Sequence, residues 1–177
     1  WHFQKARISL GRGDSASVLA RTRRALALNP CELKYHMLRV NQLTDQVRAV
    51  KGLEARGPFM AEAEASGRQA ALCHPRDVNA HYIYGYAALI SGEAGLRRNL
   101  ALAERELDAA IALDPAFLPL LELRLQAAVD TGDAAKQREL SGRIEEVKRW
   151  AAVSAAPNKF GPMVLFADRP KSVPAAP

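Results

Sequence analysis

The spacing between glycine and proline residues is the feature that most constrains how this chain folds. Three intervals are each 17 residues long: Gly13 to Pro30, Pro75 to Gly92 and Pro115 to Gly132. Glycine and proline are the strongest local interruptions of a helical sequence. Between these marks the chain is rich in Ala, Leu, Arg and Glu, which favour helix, and poor in β-branched and aromatic residues. The spacing therefore predicts a series of helices that alternate with short turns.

Two such intervals make 34 residues, which is the period of a repeated helical hairpin. In this arrangement glycine ends the first helix in a left-handed conformation, and a following acid such as Asp133 caps the second helix. Proline then ends the second helix, because it cannot continue a helix that precedes it. RALALNP at Pro30 and DAAIALDP at Pro115 are typical of such closing turns, and AALCHP at Pro75 is a degraded copy. The sequence predicts an all-α chain of stacked antiparallel hairpins.

This pattern resembles the tetratricopeptide repeat (TPR) family. Gly85 falls where that family has a small residue between its two helices, and Ala103, Leu107 and Ala110 fall at the small, bulky and small positions of the second helix. Ala25 fills the last of these positions in the first repeat. The resemblance implies a right-handed α-solenoid over residues 1–156. We expect repeats at 1–30, 31–75, 76–115 and 116–156, followed by a Pro-rich tail at 157–177.

The repeats also depart from the family pattern. The second and third are 45 and 40 residues long between prolines, which is 11 and 6 residues more than 34. We expect the extra residues between Thr44 and Pro58, where KGLEARGPF interrupts the helical pattern, and near GEAGLRRNL. They either lengthen both helices or form a loop at one edge. The fourth repeat has no proline at Arg149, so its second helix is predicted to continue to Ala155. Trp1 would lie inside the first helix of the first repeat, so we expect further residues upstream in the native protein.

No combination of residues in the sequence indicates catalysis or a cofactor. The 4 histidines lack the spacing of a metalloprotease, and there is no phosphate-binding glycine loop or nucleophile elbow. His36 and His74 lie near Cys31 and Cys73 at one end of a predicted hairpin, but their spacing matches no zinc signature, so no metal site is predicted. We expect the two cysteines to lie close together, either in a disulfide or as two unpaired buried thiols.

The basic charge of the chain does not indicate a nucleic-acid partner. The net charge is +6, but apart from Arg21, Arg23 and Arg24 the basic residues are scattered among acidic ones, which is typical of a solvated surface. No stretch approaches the roughly 18 apolar residues of a membrane helix. Any membrane attachment is therefore expected only through segments outside this chain, and the sequence leaves open whether the compartment is the cytoplasm or the periplasm.

The TPR resemblance implies a concave groove lined by the first helix of each hairpin. The family's groove positions fall on Lys34, Met37, Asn41 and Asp45, on Asn79, Tyr82 and Tyr86, and on Glu122 and Gln126. Tyr82 and Tyr86 are four residues apart and share a helix face, whereas Tyr84 is predicted to be the core residue. Alternatively, all three tyrosines only fill space between helices, or the PMVLFA stretch of the tail occupies the groove.

Two functions remain open from the sequence. In the first, the chain is a non-catalytic protein-interaction module that binds a peptide or a helix of a partner protein in the groove. In the second, it is the periplasmic or extramembrane region of a larger bacterial envelope protein. The classes in which the family occurs there are polysaccharide polymerases or O-antigen ligases, and pilus or secretion assembly factors.

Overall fold

The computed structural model describes residues 15–93 and 98–155, and these residues form α-helices without any strand among them. In chain order the helices are α1 (Ser15–Leu28), α2 (Leu33–Ala49), α3 (Leu53–Cys73), α4 (Val78–Glu93), α5 (Arg98–Leu113), α6 (Leu118–Thr131) and α7 (Ala134–Ala155). The prediction of an all-α chain is confirmed. The predicted turn at Gly13 and the segment 157–177 lie outside the described residues.

The helices pack as successive hairpins. Helix α2 packs against α3, α4 against α5 and α6 against α7, while α1 packs against α2, and α3 and α5 contact the hairpins that follow them. In addition, α2 contacts α4 and α4 contacts α6, whereas α3, α5 and α7 contact one another far less. In a curved stack of hairpins, the helices on the inner side approach one another more closely than the helices on the outer side. The array is thus a helical solenoid, as predicted, with α2, α4 and α6 on its concave side.

Each recurring proline occupies the same place in a four-residue turn. Helices α1, α3 and α5 each end two residues before one of these prolines. The carbonyl oxygen of the residue before each proline accepts a hydrogen bond from the amide of the second residue after the proline. These bonds join Asn29 to Glu32 at 3.3 Å, His74 to Asp77 at 3.1 Å, and Asp114 to Phe117 at 3.5 Å. Proline suits the second position of such a turn because its φ angle is already fixed there. It therefore ends one hairpin and directs the chain into the next.

The glycine turns differ between hairpins. Gly132 has a left-handed φ of 75° after α6, and Asp133 Oδ1 accepts a hydrogen bond from the Lys136 amide at 2.9 Å, which is the predicted cap. Gly92 lies near the end of α4, as its spacing predicts, but it does not take the left-handed conformation. A Cβ atom there would lie 2.8 Å from Leu100 Cγ on α5. Gly92 is thus required for the close approach of α5 and not for a turn.

The extra residues of the second hairpin lengthen its helices. Helix α2 has 17 residues and α3 has 21, and only a short turn separates them. The interruption expected over KGLEARGPF is confined to the start of that stretch, where Gly52 has a φ of 89°. Leu53 begins α3, and Pro58 lies inside that helix, where it removes one backbone hydrogen bond but does not end the helix. Helix α7 continues to Ala155, as the missing proline predicts.

Small residues allow the two helices of the third hairpin to approach closely. A Cβ atom at Gly85 would lie 2.7 Å from Leu107 Cγ and 3.3 Å from the Ala103 carbonyl oxygen. Ala103, Leu107 and Ala110 are fully buried, and Ala25 is buried at the corresponding position of α1. The residues that carry the family resemblance therefore form the contact between α4 and α5 that the resemblance implies.

Buried arginines join neighbouring hairpins. Arg39 on α2 donates hydrogen bonds to the Leu19 carbonyl at 3.0 Å and to the Thr22 hydroxyl at 3.2 Å on α1, and it pairs with Glu62 on α3. Its pKa is lowered, mainly by burial. The side chain thus connects three helices across a boundary between repeats.

Arg124 on α6 makes the equivalent connection to α5. Its guanidinium binds Asp108 and Glu104, each at 2.9 Å. Burial by itself lowers the pKa of Arg124, but the hydrogen bonds and charges of the two carboxylates outweigh this effect and raise the pKa. The ion pairs hold the third and fourth hairpins together.

The prediction that Tyr84 is the core residue of α4 is wrong. Tyr84 is half-buried, as Tyr82 and Tyr86 are, and the neighbouring Ile83 is fully buried in the core. Tyr84 lies nine residues after a proline, at the position that Arg39 and Arg124 hold in the other hairpins. This position lies at the boundary between hairpins: a Cβ atom added at Gly67 of α3 would lie 2.8 Å from Tyr84 Cα, so Tyr84 packs against the preceding hairpin.

Candidate functional site

The groove residues predicted from the sequence lie on α2, α4 and α6. Six of them are exposed: Lys34, Asn41, Asp45, Asn79, Glu122 and Gln126. Three are half-buried: Met37, Tyr82 and Tyr86. On α2 the opposite face carries Val40, Leu43 and Val47, which are fully or almost fully buried. Each of these helices therefore packs one face and presents the other, as an amphipathic helix in a solenoid does.

Aromatic side chains link α4 to its two neighbours on the concave side. The Tyr82 and Tyr86 rings are stacked, with centroids 6.4 Å apart and planes 5° apart. Tyr82 also contacts the Phe117 ring in an edge-on arrangement at 6.0 Å, immediately before α6. On the other side, the Arg48 guanidinium of α2 lies 5.7 Å from the Tyr86 ring centroid and donates a hydrogen bond to its hydroxyl at 3.0 Å. We call Arg48, Tyr82, Tyr86 and Phe117 the aromatic ladder.

The chemistry of the ladder is that of an amphipathic surface. Burial raises the pKa of Tyr82. A tyrosine hydroxyl can donate as well as accept a hydrogen bond. Arg48 is exposed, and no carboxylate is paired with it among the described residues. The ladder thus offers ring surface, hydroxyl groups and one uncompensated positive charge to the solvent.

The sequence interpretation missed Arg48 and Phe117. Arg48 follows Asn41 by seven residues and Asp45 by three, so helical periodicity alone assigns it to the groove face. Phe117 precedes α6, outside the helical positions to which the family pattern refers. It lines a shallow, open depression of about 360 Å³ together with Val78 and Asn79 at the start of α4 and the turn residues Arg76, Asp77 and Asp114. The depression does not enclose a small molecule.

Cys31 and Cys73 form a disulfide at one edge of the array. Their Cα atoms are 5.5 Å apart, and the bond joins the turn before α2 to the last residue of α3. Cys31 is exposed and Cys73 is half-buried, and neither is a free thiol.

The two histidines near the disulfide are used in hydrogen bonds. His36 is buried, and its Nε2 lies 2.9 Å from the Pro30 carbonyl oxygen while its Nδ1 lies 2.9 Å from the Ser66 hydroxyl. Since a carbonyl only accepts, Nε2 carries the proton and Nδ1 accepts from Ser66. Burial lowers the pKa of His36. His74 Nε2 bonds the Cys31 carbonyl oxygen. Within residues 15–93 and 98–155 no three His, Cys, Asp or Glu side chains are grouped as metal ligands.

Comparisons with known proteins give a fold but no sequence family. No protein-family model matches the sequence, and no curated protein matches it. None of the helices in the described ranges is long and apolar enough to cross a membrane.

Solved structures of helical repeat proteins are similar to this chain. One is TTC0263, a thermophilic TPR protein in Thermus thermophilus, with a TM-score of 0.69 and 17% sequence identity over 94% of this chain and 76% of that one. Another is MamA, as the RS-1 ArsTM double mutant, with a TM-score of 0.66 and 15% identity over 85% of this chain and 75% of that one. The aligned lengths cover most of both chains, and the hairpins carry small residues at the positions that the family pattern requires. The chain therefore has the fold of a TPR protein, built from degenerate repeats.

Proposed function

We propose that this chain is a non-catalytic protein-interaction module, which binds a peptide or a helix of a partner protein along α2, α4 and α6. The observation that carries this proposal is the aromatic ladder, whose side chains join all three helices on the concave side while remaining partly open to solvent. The fold supports it, because TPR-like solenoids present extended concave surfaces that suit elongated partners.

The residue types along the groove fit a peptide better than a small molecule. A tyrosine ring contributes contact area at a low cost in side-chain entropy, and its hydroxyl can bind a peptide backbone. Asn41 and Asn79 are exposed on neighbouring helices, and their amide groups can donate to and accept from a peptide bond. Lys34, Glu122 and Gln126 are exposed towards the two ends of the same row of helices. We propose that the partner-binding set consists of Arg48 together with Lys34, Asn41, Asn79, Tyr82, Tyr86, Glu122 and Gln126.

The repeat boundaries are part of this proposal. We propose that binding units correspond to residues 31–75, 76–115 and 116–156, preceded by 1–30 and followed by the segment 157–177. Each of the three central units contains one hairpin that contributes one groove helix.

Selection from a displayed random-peptide library tests the groove. Peptides retained by the wild-type chain are measured by calorimetry against Tyr82→Ala, Tyr86→Ala and the control Tyr84→Ala, a tyrosine of the same helix outside the predicted groove. Each groove substitution is expected to weaken binding by about 1 to 3 kcal/mol, and the control is expected to have little effect. Retained peptides whose affinity is indifferent to both groove substitutions would contradict the proposal.

The second candidate is the extramembrane region of a larger bacterial envelope protein, such as a polysaccharide polymerase, an O-antigen ligase, or a pilus or secretion assembly factor. The disulfide favours this candidate, since such bonds persist in oxidising compartments and are rare in the cytosol. Thiol trapping in intact cells at native expression is expected to find Cys31 and Cys73 oxidised. Recovery of both residues as free thiols would count against this location without affecting the groove proposal.

A further inference from the structure

Two leucines beside the disulfide are unusually exposed. Leu28, the last residue of α1, is 78% exposed, and Leu72, in the last turn of α3, is 69% exposed. These are the two highest values among the large hydrophobic residues of the described ranges. Leu28 precedes Cys31 by three residues, and Leu72 is bonded to Cys73. The most solvent-exposed leucines thus lie next to the one covalent cross-link between these two segments.

The patch is compact enough for one partner to cover. Three residues span at most about 10 Å of chain, and adjacent Cα atoms are about 3.8 Å apart. With 5.5 Å between the cysteine Cα atoms, the two leucine Cα atoms are at most about 20 Å apart. We call Leu28, Leu72 and the Cys31–Cys73 bond the disulfide patch.

We propose that the disulfide patch is a docking site for a dithiol–disulfide oxidoreductase, which breaks or forms the Cys31–Cys73 bond in the folded array. The bond itself identifies the class of partner, because accessible disulfides are the ones that exchange with thiols. A protein thiol must be held against one sulfur for attack, and exposed apolar residues close to the two cysteines supply the contact area that holds it.

The exchange proceeds in two balanced steps. A thiolate of the partner attacks Sγ of Cys31, which is the more exposed of the two residues, and forms a mixed disulfide. Cys73 Sγ leaves with the bonding electron pair and takes up a proton. The second thiol of the partner, as its thiolate, then attacks the mixed disulfide and releases Cys31, which also takes up a proton. The chain gains two electrons and two protons while the partner dithiol becomes a disulfide, and the reverse sequence forms the bond.

Hydrogen bonds hold the same turn when the bond is open. His36 bonds the Pro30 carbonyl and His74 bonds the Cys31 carbonyl, so the turn before α2 is attached to α2 and to the end of α3 without the sulfurs. Reduction therefore leaves the two cysteines near each other, which permits re-formation of the bond without unfolding.

A comparison of two reductants tests this proposal. Reduction of the oxidised chain is followed with thioredoxin, as a dithiol protein, and with dithiothreitol, as a small dithiol that needs no docking. The wild-type chain is expected to react faster with thioredoxin than with dithiothreitol at equal dithiol concentration. The double variant Leu28→Ser/Leu72→Ser is expected to lose about tenfold in the thioredoxin rate because the apolar contact is removed, with no change in the dithiothreitol rate.

Leu113→Ser is the matched control. Leu113 ends α5 two residues before Pro115, as Leu28 ends α1 two residues before Pro30, and it is 42% exposed but distant in sequence from both cysteines. This substitution is expected to change neither rate. The proposal is overturned if wild type shows no preference for thioredoxin, if the double variant keeps the wild-type thioredoxin rate, or if both reductants change equally. An equal change would mean that the leucines affect only the accessibility of the bond.

Discussion

Replacing Gly85 with alanine tests whether α4 and α5 approach each other too closely to admit a Cβ atom. A Cβ atom at Gly85 would lie 2.7 Å from Leu107 Cγ and 2.8 Å from Leu107 Cδ2, and real Cβ atoms essentially never come that close. Leu107 is fully buried, and because protein interiors are close-packed, a shift of its side chain displaces its neighbours. Overpacking of this kind costs about 1 to 3 kcal/mol of the free energy of unfolding.

An opposing effect has to be subtracted. Alanine is favoured over glycine inside a helix by about 1 kcal/mol. Gly142 measures this effect alone, because it lies in α7, is exposed, and has no atom within 4 Å of the position of an added Cβ. Gly142→Ala is therefore expected to stabilise the chain by about 1 kcal/mol. Gly85→Ala is expected to range from nearly neutral to about 2 kcal/mol destabilising.

The quantity to compare is the difference between the two variants, which isolates the overpacking cost of about 1 to 3 kcal/mol. It is measured by urea unfolding followed by circular dichroism at the helix band. The double variant is expected to show the sum of the single effects, since the two sites share no contact partner. If Gly85→Ala stabilises the chain as much as Gly142→Ala does, the reasoning about the close approach of α4 and α5 is refuted.

Three further predictions concern residues that join one helix to another. The free energy of unfolding is expected to be constant above the ordinary histidine pKa of about 6.5 and to fall as the pH drops below it. Burial lowers the pKa of His36 in the folded chain, so the unfolded chain takes up a proton at a higher pH than the folded chain does. His36→Asn should flatten this part of the profile, and an unchanged profile would assign the effect to another group. Reduction of the disulfide, which closes a 42-residue separation, is expected to lower the free energy of unfolding by about 4 kcal/mol at 25 °C, and a Cys31→Ser variant should match the reduced protein. Arg124→Ala is expected to lower the free energy of unfolding by about 1 to 3 kcal/mol because it removes a buried side chain together with its hydrogen bonds to Asp108 and Glu104. Lys148→Ala removes an exposed ion pair with Glu122 at 3.9 Å and should change the free energy of unfolding by less than about 1 kcal/mol. Equal costs for the two variants would contradict the inference that burial makes the Arg124 contacts more stabilising than an exposed pair.

Much of the fold could be read from the sequence because glycine and proline act locally. Pro30, Pro75 and Pro115 fix a backbone angle and lack an amide hydrogen, and each lies in the turn that follows a helix, as their spacing predicts. Pro58 has the same properties but lies inside α3. Gly132 permits a left-handed residue in the same local way. At Gly92 the spacing predicts the same kind of turn, but the glycine is needed because α5 packs closely against it.

The groove was only partly predictable. Helical periodicity assigns Tyr82 and Tyr86 to one face of α4, because residues four apart lie together on a helix. It does not decide how that helix is rotated against its neighbours, and this rotation is what buries Ile83 and leaves Tyr84 at the boundary between hairpins.

By itself, then, the sequence determined the helices, their turns and the small residues between them, since these follow from backbone angles and side-chain size at single positions. Only the tertiary structure decided which distant residues meet. Arg48 reaches Tyr86 of the next hairpin across 38 residues of chain, and Arg39 reaches the Leu19 carbonyl of the preceding helix across 20. Such contacts depend on the angle at which one hairpin stacks on the next, and that angle results from all the packed side chains of the interface together.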